Sequence, residues 1–238
     1  MKTLLVLVFA MFALGHTDVM AQRKPAPPVV YSCPMHPEVQ SQKRGKCPQC
    51  KMDLVKRTAA VTETSEKVVV AESGKSLNIP DVEVLDQDGN VRHFYTDLVK
   101  GKTVAVNFIF TNCTTICPPL GATFARVQRE LGEKVGKDVY FISVSVDPLT
   151  DTPERLKAWG AKFKAGPGWT FVTGNKEEID RLLRALGAFS ARREDHTPTV
   201  IVGNDVRDVW TRTYGLASFS QMVALINEVH GGNYESTN

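Results

Sequence analysis

The run Lys102-Thr-Val-Ala-Val-Asn-Phe-Ile-Phe110 constrains this chain more than any other segment. It is almost wholly apolar and lacks the alternation of a strand with one wet face, so it reads as a buried central strand. A strand of that kind must be covered by helices. The chain supplies them, because strand-like and helix-like stretches alternate over residues 77–229, which predicts an α/β layer with a central sheet flanked by helices. Residues 82–94 read as a β-hairpin turning at Asp88-Gly89, 139–146 as a second β-rich run, and 199–202 and 206–211 as a late pair. Helices are expected after Pro118-Pro119, from Thr152-Pro153 towards Phe163, after a capping Asn175, and after a capping Ser218. Phe219, Met222, Trp210 and Tyr214 read as core residues.

Cys113 and Cys117 follow that strand directly, in Cys-x-x-x-Cys spacing, and His196 lies far downstream, just before another β-type run. Two soft thiolates and one imidazole suit copper in either Cu(I) or Cu(II) form, and the same thiols can close into a disulfide, so the pair is a candidate metal site and a candidate redox centre. A purely structural bridge across so short a loop would stabilise little. The Pro118-Pro119 helix is expected to aim its N-terminus at Cys117 and favour the anionic sulfur. A lone histidine more often caps or packs. Its place before a strand, where its loop should face the cysteines, makes His196 a candidate ligand. Asp147-Pro148 is a turn former, with support of a metal ligand or contact to a partner as the alternative, Asp195 is free to hydrogen-bond locally, and Arg192-Arg193 reads as a solvated basic loop.

Nearer the start, Tyr31-Ser-Cys-Pro-Met-His-Pro-Glu38 and Cys47-Pro-Gln-Cys-Lys-Met52 concentrate metal donors. Cys33, His36, Cys47 and Cys50 have the spacing of a tetrahedral knuckle for zinc, and Met35 and Met52 add thioethers that favour Cu(I). The domain organisation follows: a signal peptide over 1–21, a Pro-rich linker over 22–29, the small metal-binding unit over 30–57, a second linker over 58–73, and the α/β domain over 74–238. An apolar run over 4–14 ahead of Val19-Met-Ala21 is the signal, with an uncleaved anchor and membrane proximity as its variant. Export to a periplasmic or other envelope space puts the thiols under oxidising conditions, which calls for a thiol reductant or bound metal. A formal net charge of +3, with scattered basic residues, argues against nucleic acid as a partner.

The motifs Phe108-Ile-Phe-Thr-Asn-Cys-Thr-Thr-Ile-Cys-Pro118, Ser143-Val-Ser-Val-Asp-Pro148 with Asp151-Thr-Pro153, and Asp195-His196 resemble those of the Sco/SenC copper chaperones. That resemblance covers residues 77–229. It implies a thioredoxin-like fold, copper held by Cys113, Cys117 and His196, and delivery to a copper-accepting subunit of cytochrome c oxidase or another cuproprotein. Thr197-Pro198-Thr199 departs from many Sco sequences and looks like the cis-proline loop of thioredoxins. It keeps a second expectation open, a thiol-disulfide oxidoreductase with Cys113 and Cys117 as the catalytic pair, reducing a partner's metal-ligand cysteines. Residues 31–54 resemble the heavy-metal-binding domain of metal-exporting ATPases, except that Lys51 stands where glycine is usual. Two metal boxes on one chain suggest that the first captures copper and the tether raises its concentration at the second.

Overall fold

The computed structural model describes residues 30–33, 39–49, 51, 53–57, 70–71 and 77–231. The strands are β1 (Val30–Ser32), β2 (Gln40–Ser41), β3 (Val55–Arg57), β4 (Val70–Ala71), β5 (Glu83–Asp86), β6 (Val91–His93), β7 (Thr103–Ile109), β8 (Val139–Ser145), β9 (Trp169–Thr173), β10 (Thr199–Asn204) and β11 (Val209–Tyr214). The α-helices are α1 (Cys117–Leu131), α2 (Pro153–Lys162), α3 (Lys176–Ala185) and α4 (Phe219–His230).

The apolar run is β7, and all seven of its residues are buried. It lies inside a sheet ordered β4-β11-β10-β7-β8-β9-β5-β6. β8 pairs with it in parallel and β10 antiparallel, so the α1 and α2 crossovers return the chain to one sheet while the last strands run back as a hairpin. The lack of alternation now has its reason. Ala105 and Ile109 face a cluster with Leu120 and Phe124 of α1 and Met222 and Ile226 of α4, whereas Val104, Val106 and Phe108 face one with Ile179, Leu182 and Leu183 of α3. Asn107, the polar interruption, accepts a hydrogen bond from Ser143 Oγ (2.6 Å), which in turn accepts from Trp169 Nε1 (2.9 Å). Three strands are cross-linked through Asn107 Oδ1, while its Nδ2 is buried without a hydrogen-bond partner.

The caps are as read. Thr152 accepts from the Arg155 N–H, Asn175 from Glu177 and Glu178, and Ser218 forms a reciprocal capping box with Gln221. Several boundaries differ. β11 starts at Val209, three residues after its expected start, because Asn204 Oδ1 accepts the Arg207 N–H and holds 205–208 in a turn that leaves Val206 exposed. β9 carries no strand expectation, and residues 70–71, assigned to a linker, form the edge strand β4. Tyr214 is exposed, not core. The described peptide bonds are all trans, including the one before Pro198.

The N-terminal unit is a small antiparallel sheet ordered β2-β1-β3, with Cys33 and Cys47 buried beneath it. Lys51 has φ of 61°, the left-handed conformation that glycine adopts without strain, and its N–H donates to the Cys47 carbonyl at 2.8 Å.

Candidate metal centre

β7 ends at Ile109, and the chain then turns so that the Cys113 N–H donates to the Phe110 carbonyl (3.1 Å) before α1 opens at Cys117. Pro118 and Pro119 occupy the first turn of α1, where a missing N–H costs nothing. The Cys117 N–H is left to point backwards, and it donates to Cys113 Sγ at 3.3 Å. The helix N-terminus therefore serves Cys113, where the sequence suggested Cys117. The reason is register: Cys117 is itself the first helical residue, so its own sulfur cannot sit in front of the orphan donors.

The two sulfurs are consequently unequal. Hydrogen bonding from the Cys117 thiol, followed by the Cys117, Thr115 and Ile116 N–H groups, lowers the pKa of Cys113 to about 4 against the opposing effect of burial. Cys117 is pushed up, first because its proton is engaged by the Cys113 sulfur and then by burial, with the carboxylate of Asp151 adding to the effect. In the reduced pair this arrangement favours a thiolate at Cys113 and a thiol at Cys117. Thr115 Oγ1 lies 3.8 Å from the anionic sulfur.

Asp151 fixes the turn that carries them. It is fully buried, yet accepts from the Thr111 N–H (3.1 Å), Thr111 Oγ1 (2.6 Å) and Ser145 Oγ (2.7 Å), so Phe110 and Thr111 are tied to the end of β8. The sequence reading assigned it no such task. The only available signal was a carboxylate two residues ahead of a helix-opening proline.

His196 is 5 % exposed and packs edge-on against Phe110, with ring centroids 5.8 Å apart. Its Nδ1 is 2.9 Å from the Arg193 carbonyl, which can only accept, so Nδ1 carries a proton and the tautomer this selects puts the imidazole lone pair on Nε2. That Nε2 is buried without a hydrogen-bond partner. A buried nitrogen held in the ligating tautomer and given nothing to bind fits a metal ligand better than a packing residue. Arg193 also forms an ion pair with Asp147 and lies over the Phe110 ring, 5.7 Å from its centroid. Far from being a solvated basic spot, Arg193 fastens the histidine loop to the β8–α2 turn. Asp195 pairs locally with Arg192, as its position suggested.

Cys113 and Cys117 are thus brought together and His196 is brought to their common neighbour Phe110. The three do not form a closed cage: among the described residues no three His, Cys, Asp or Glu side chains are grouped to hold an ion. Of the N-terminal donors, Cys33 and Cys47 are described, while Met35, His36, Cys50 and Met52 lie outside the described residues. Among the described residues no helix is long and apolar enough to cross a membrane.

Comparison with known proteins gives two family matches. The family model described as SCO1/SenC matches residues 71–228, and one described as a heavy metal binding domain matches residues 30–57. A SCO1 protein homolog of Bacillus subtilis is 39% identical over 109 residues, covering 44% of this chain and 53% of that protein. The chain spans about half the length of the Sco relatives it matches. A copper-exporting P-type ATPase of Legionella pneumophila is 46% identical over 43 residues, 18% of this chain and 6% of the ATPase. Among solved structures, BsSco, described as a Sco-family cytochrome c oxidase assembly protein with a disulfide switch, matches with a TM-score of 0.53 at 28% identity, covering 66% of this chain and 96% of that one.

Proposed function

The chain belongs to the SCO1/SenC family, and on that premise we propose that it is an exported copper chaperone that holds the ion on Cys113, Cys117 and His196 and passes it to a respiratory oxidase copper centre. The observation that carries this reading is the buried His196 Nε2, fixed as a lone-pair donor and left without a partner. Copper is the cargo. The Cys113 thiolate is ready to accept it, Cys117 surrenders its proton as a second sulfur ligand, and the imidazole adds a donor that suits the ion in both oxidation states. Three protein ligands leave room for an incoming ligand from the acceptor, so transfer proceeds by exchange. Residues 1–21 act as the export signal. An envelope reductant keeps the pair open, and the unit at 30–57 collects copper or zinc through Cys33, His36, Cys47 and Cys50, with Met35 and Met52 available to Cu(I).

A second reading, thiol-disulfide exchange on a partner's metal-ligand cysteines, is favoured by the asymmetry of the pair. Cys113 is an anionic sulfur at neutral pH and Cys117 a protonated resolving thiol. Against it, the Pro198 carbonyl already accepts the Gly215 N–H at 2.8 Å, so this edge is partly engaged within the fold. Titrating the reduced protein with Cu(I), alongside His196→Ala and Cys113→Ser and a disulfide reductase assay, separates the two. The chaperone reading requires both substitutions to weaken binding. Binding indifferent to His196 together with brisk turnover overturns it.

A further inference from the structure

The N-terminal unit shares an apolar cluster with the large domain, one that takes in the cysteine pair along with residues of α1 and α4. Buried Cys33, Cys47 and Leu54 belong to one contiguous cluster with Phe110, Cys113 and Cys117, and Tyr31, Val39 and Ile116 pack against it. β4, which follows the N-terminal unit in the chain, begins near the histidine loop. β4 pairs with β11 so that Val70 lies opposite Thr213, and the next residue, Tyr214, pairs with Thr199, three positions after His196. β4 therefore starts beside the strand end that follows the histidine loop. A unit of this size buries too little of its own surface to stand alone, and its buried sulfurs gain cover from the neighbour.

We propose that residues 30–57 dock against the Cys113–Cys117 end of the α/β domain, forming an interface within one chain across which Cu(I) passes directly between the two sets of sulfurs. The proposal rests on the copper reading above. It goes beyond tethering: a flexible tether raises local concentration, whereas a docked unit has already met the cost of finding its partner. In each exchange a bond from copper to a donor of the first box breaks as one to Cys113 or Cys117 forms. Copper stays Cu(I), and the proton leaving Cys117 passes to the released thiolate or to water.

The test uses the reduced full chain. In its metal-free form the iodoacetamide alkylation rate of Cys113, read by mass spectrometry, reports cover. Leu54→Asp, checked for a folded box by its Co(II)–thiolate absorption, should raise that rate several-fold. Doubling the linker 58–69 with Gly/Ser should leave it unchanged if docking is saturated. The copper arm measures how fast chelator-buffered Cu(I) protects Cys113 in the same proteins, and doubling the linker should change that rate less than twofold. A tethered but undocked unit predicts a fall of about threefold on doubling and no effect of Leu54→Asp on alkylation, and either result overturns the proposal. If Leu54→Asp loses its Co(II) signal, the linker series alone decides. Should Cys113 never gain protection from Cu(I), the copper reading fails while the metal-free alkylation arm still reports docking.

Discussion

Cys113 and Cys117 differ by one hydrogen bond's direction, and that difference sets their chemistry. The Cys117 thiol and N–H both point at Cys113, so the anion is held there. Cys117→Ala removes the thiol donor, and the Cys113 pKa should rise from about 4 by more than about one unit, which thiolate ultraviolet absorbance across the acid range will measure. The sign is fixed: wild-type Cys113 is ionised above its depressed pKa, and the variant needs higher pH to reach the same fraction. Lys51 offers a test in the other box. It holds a positive φ of 61° with a side chain that disfavours it, so Lys51→Gly should stabilise the metal-bound unit by about 1 kcal/mol, seen as a roughly fivefold gain in Co(II) affinity at constant pH.

At the scale of elements, the site is the meeting of the β7–α1 turn, the β8–α2 turn and the loop before β10. Arg193 joins the last two through Asp147 while its own carbonyl fixes the imidazole tautomer. Because the ion pair is partly exposed, it contributes little to overall stability; its effect is to position the histidine loop. Arg193→Ala should therefore weaken Cu(I) binding about tenfold in competition with a chromophoric chelator, with only a small change in melting temperature. α1 is positioned by close packing. A Cβ on Gly121 would approach Phe163 to 2.7 Å and Trp159 to 2.8 Å, so Gly121→Ala should cost about 1–3 kcal/mol in urea unfolding and displace the helix that begins with Cys117.

Over the whole molecule, what the sequence displayed was local: buried runs, caps, the hairpin at Asp88-Gly89, and the spacing of sulfur and imidazole donors. β7 was legible because a strand covered on both faces has no alternation to confuse it, and Asn175 and Ser218 because caps act within one turn. Long-range pairing was hidden. Residues 70–71 look like linker because their partner, β11, lies far along the chain, and Val206 looks like the start of a strand until Asn204 is seen to hold the turn around it. The site divides in the same way. The pair and His196 could be put forward as candidates, but the recipient of the helix N-terminus, the Asp151 brace and the Arg193 fastening depend on which turns meet.

The unequal sulfurs also fix a stoichiometry. Near neutrality Cys113 has no proton left to give, so seating Cu(I) on the pair expels a single proton, from Cys117, where two ordinary thiols would release two. Calorimetry in buffers of different ionisation enthalpy should count one, and binding should tighten about tenfold for each unit of rising pH. Under the proposed copper reading, acidification would then loosen the bound ion by reprotonating the sulfur that let go of its hydrogen.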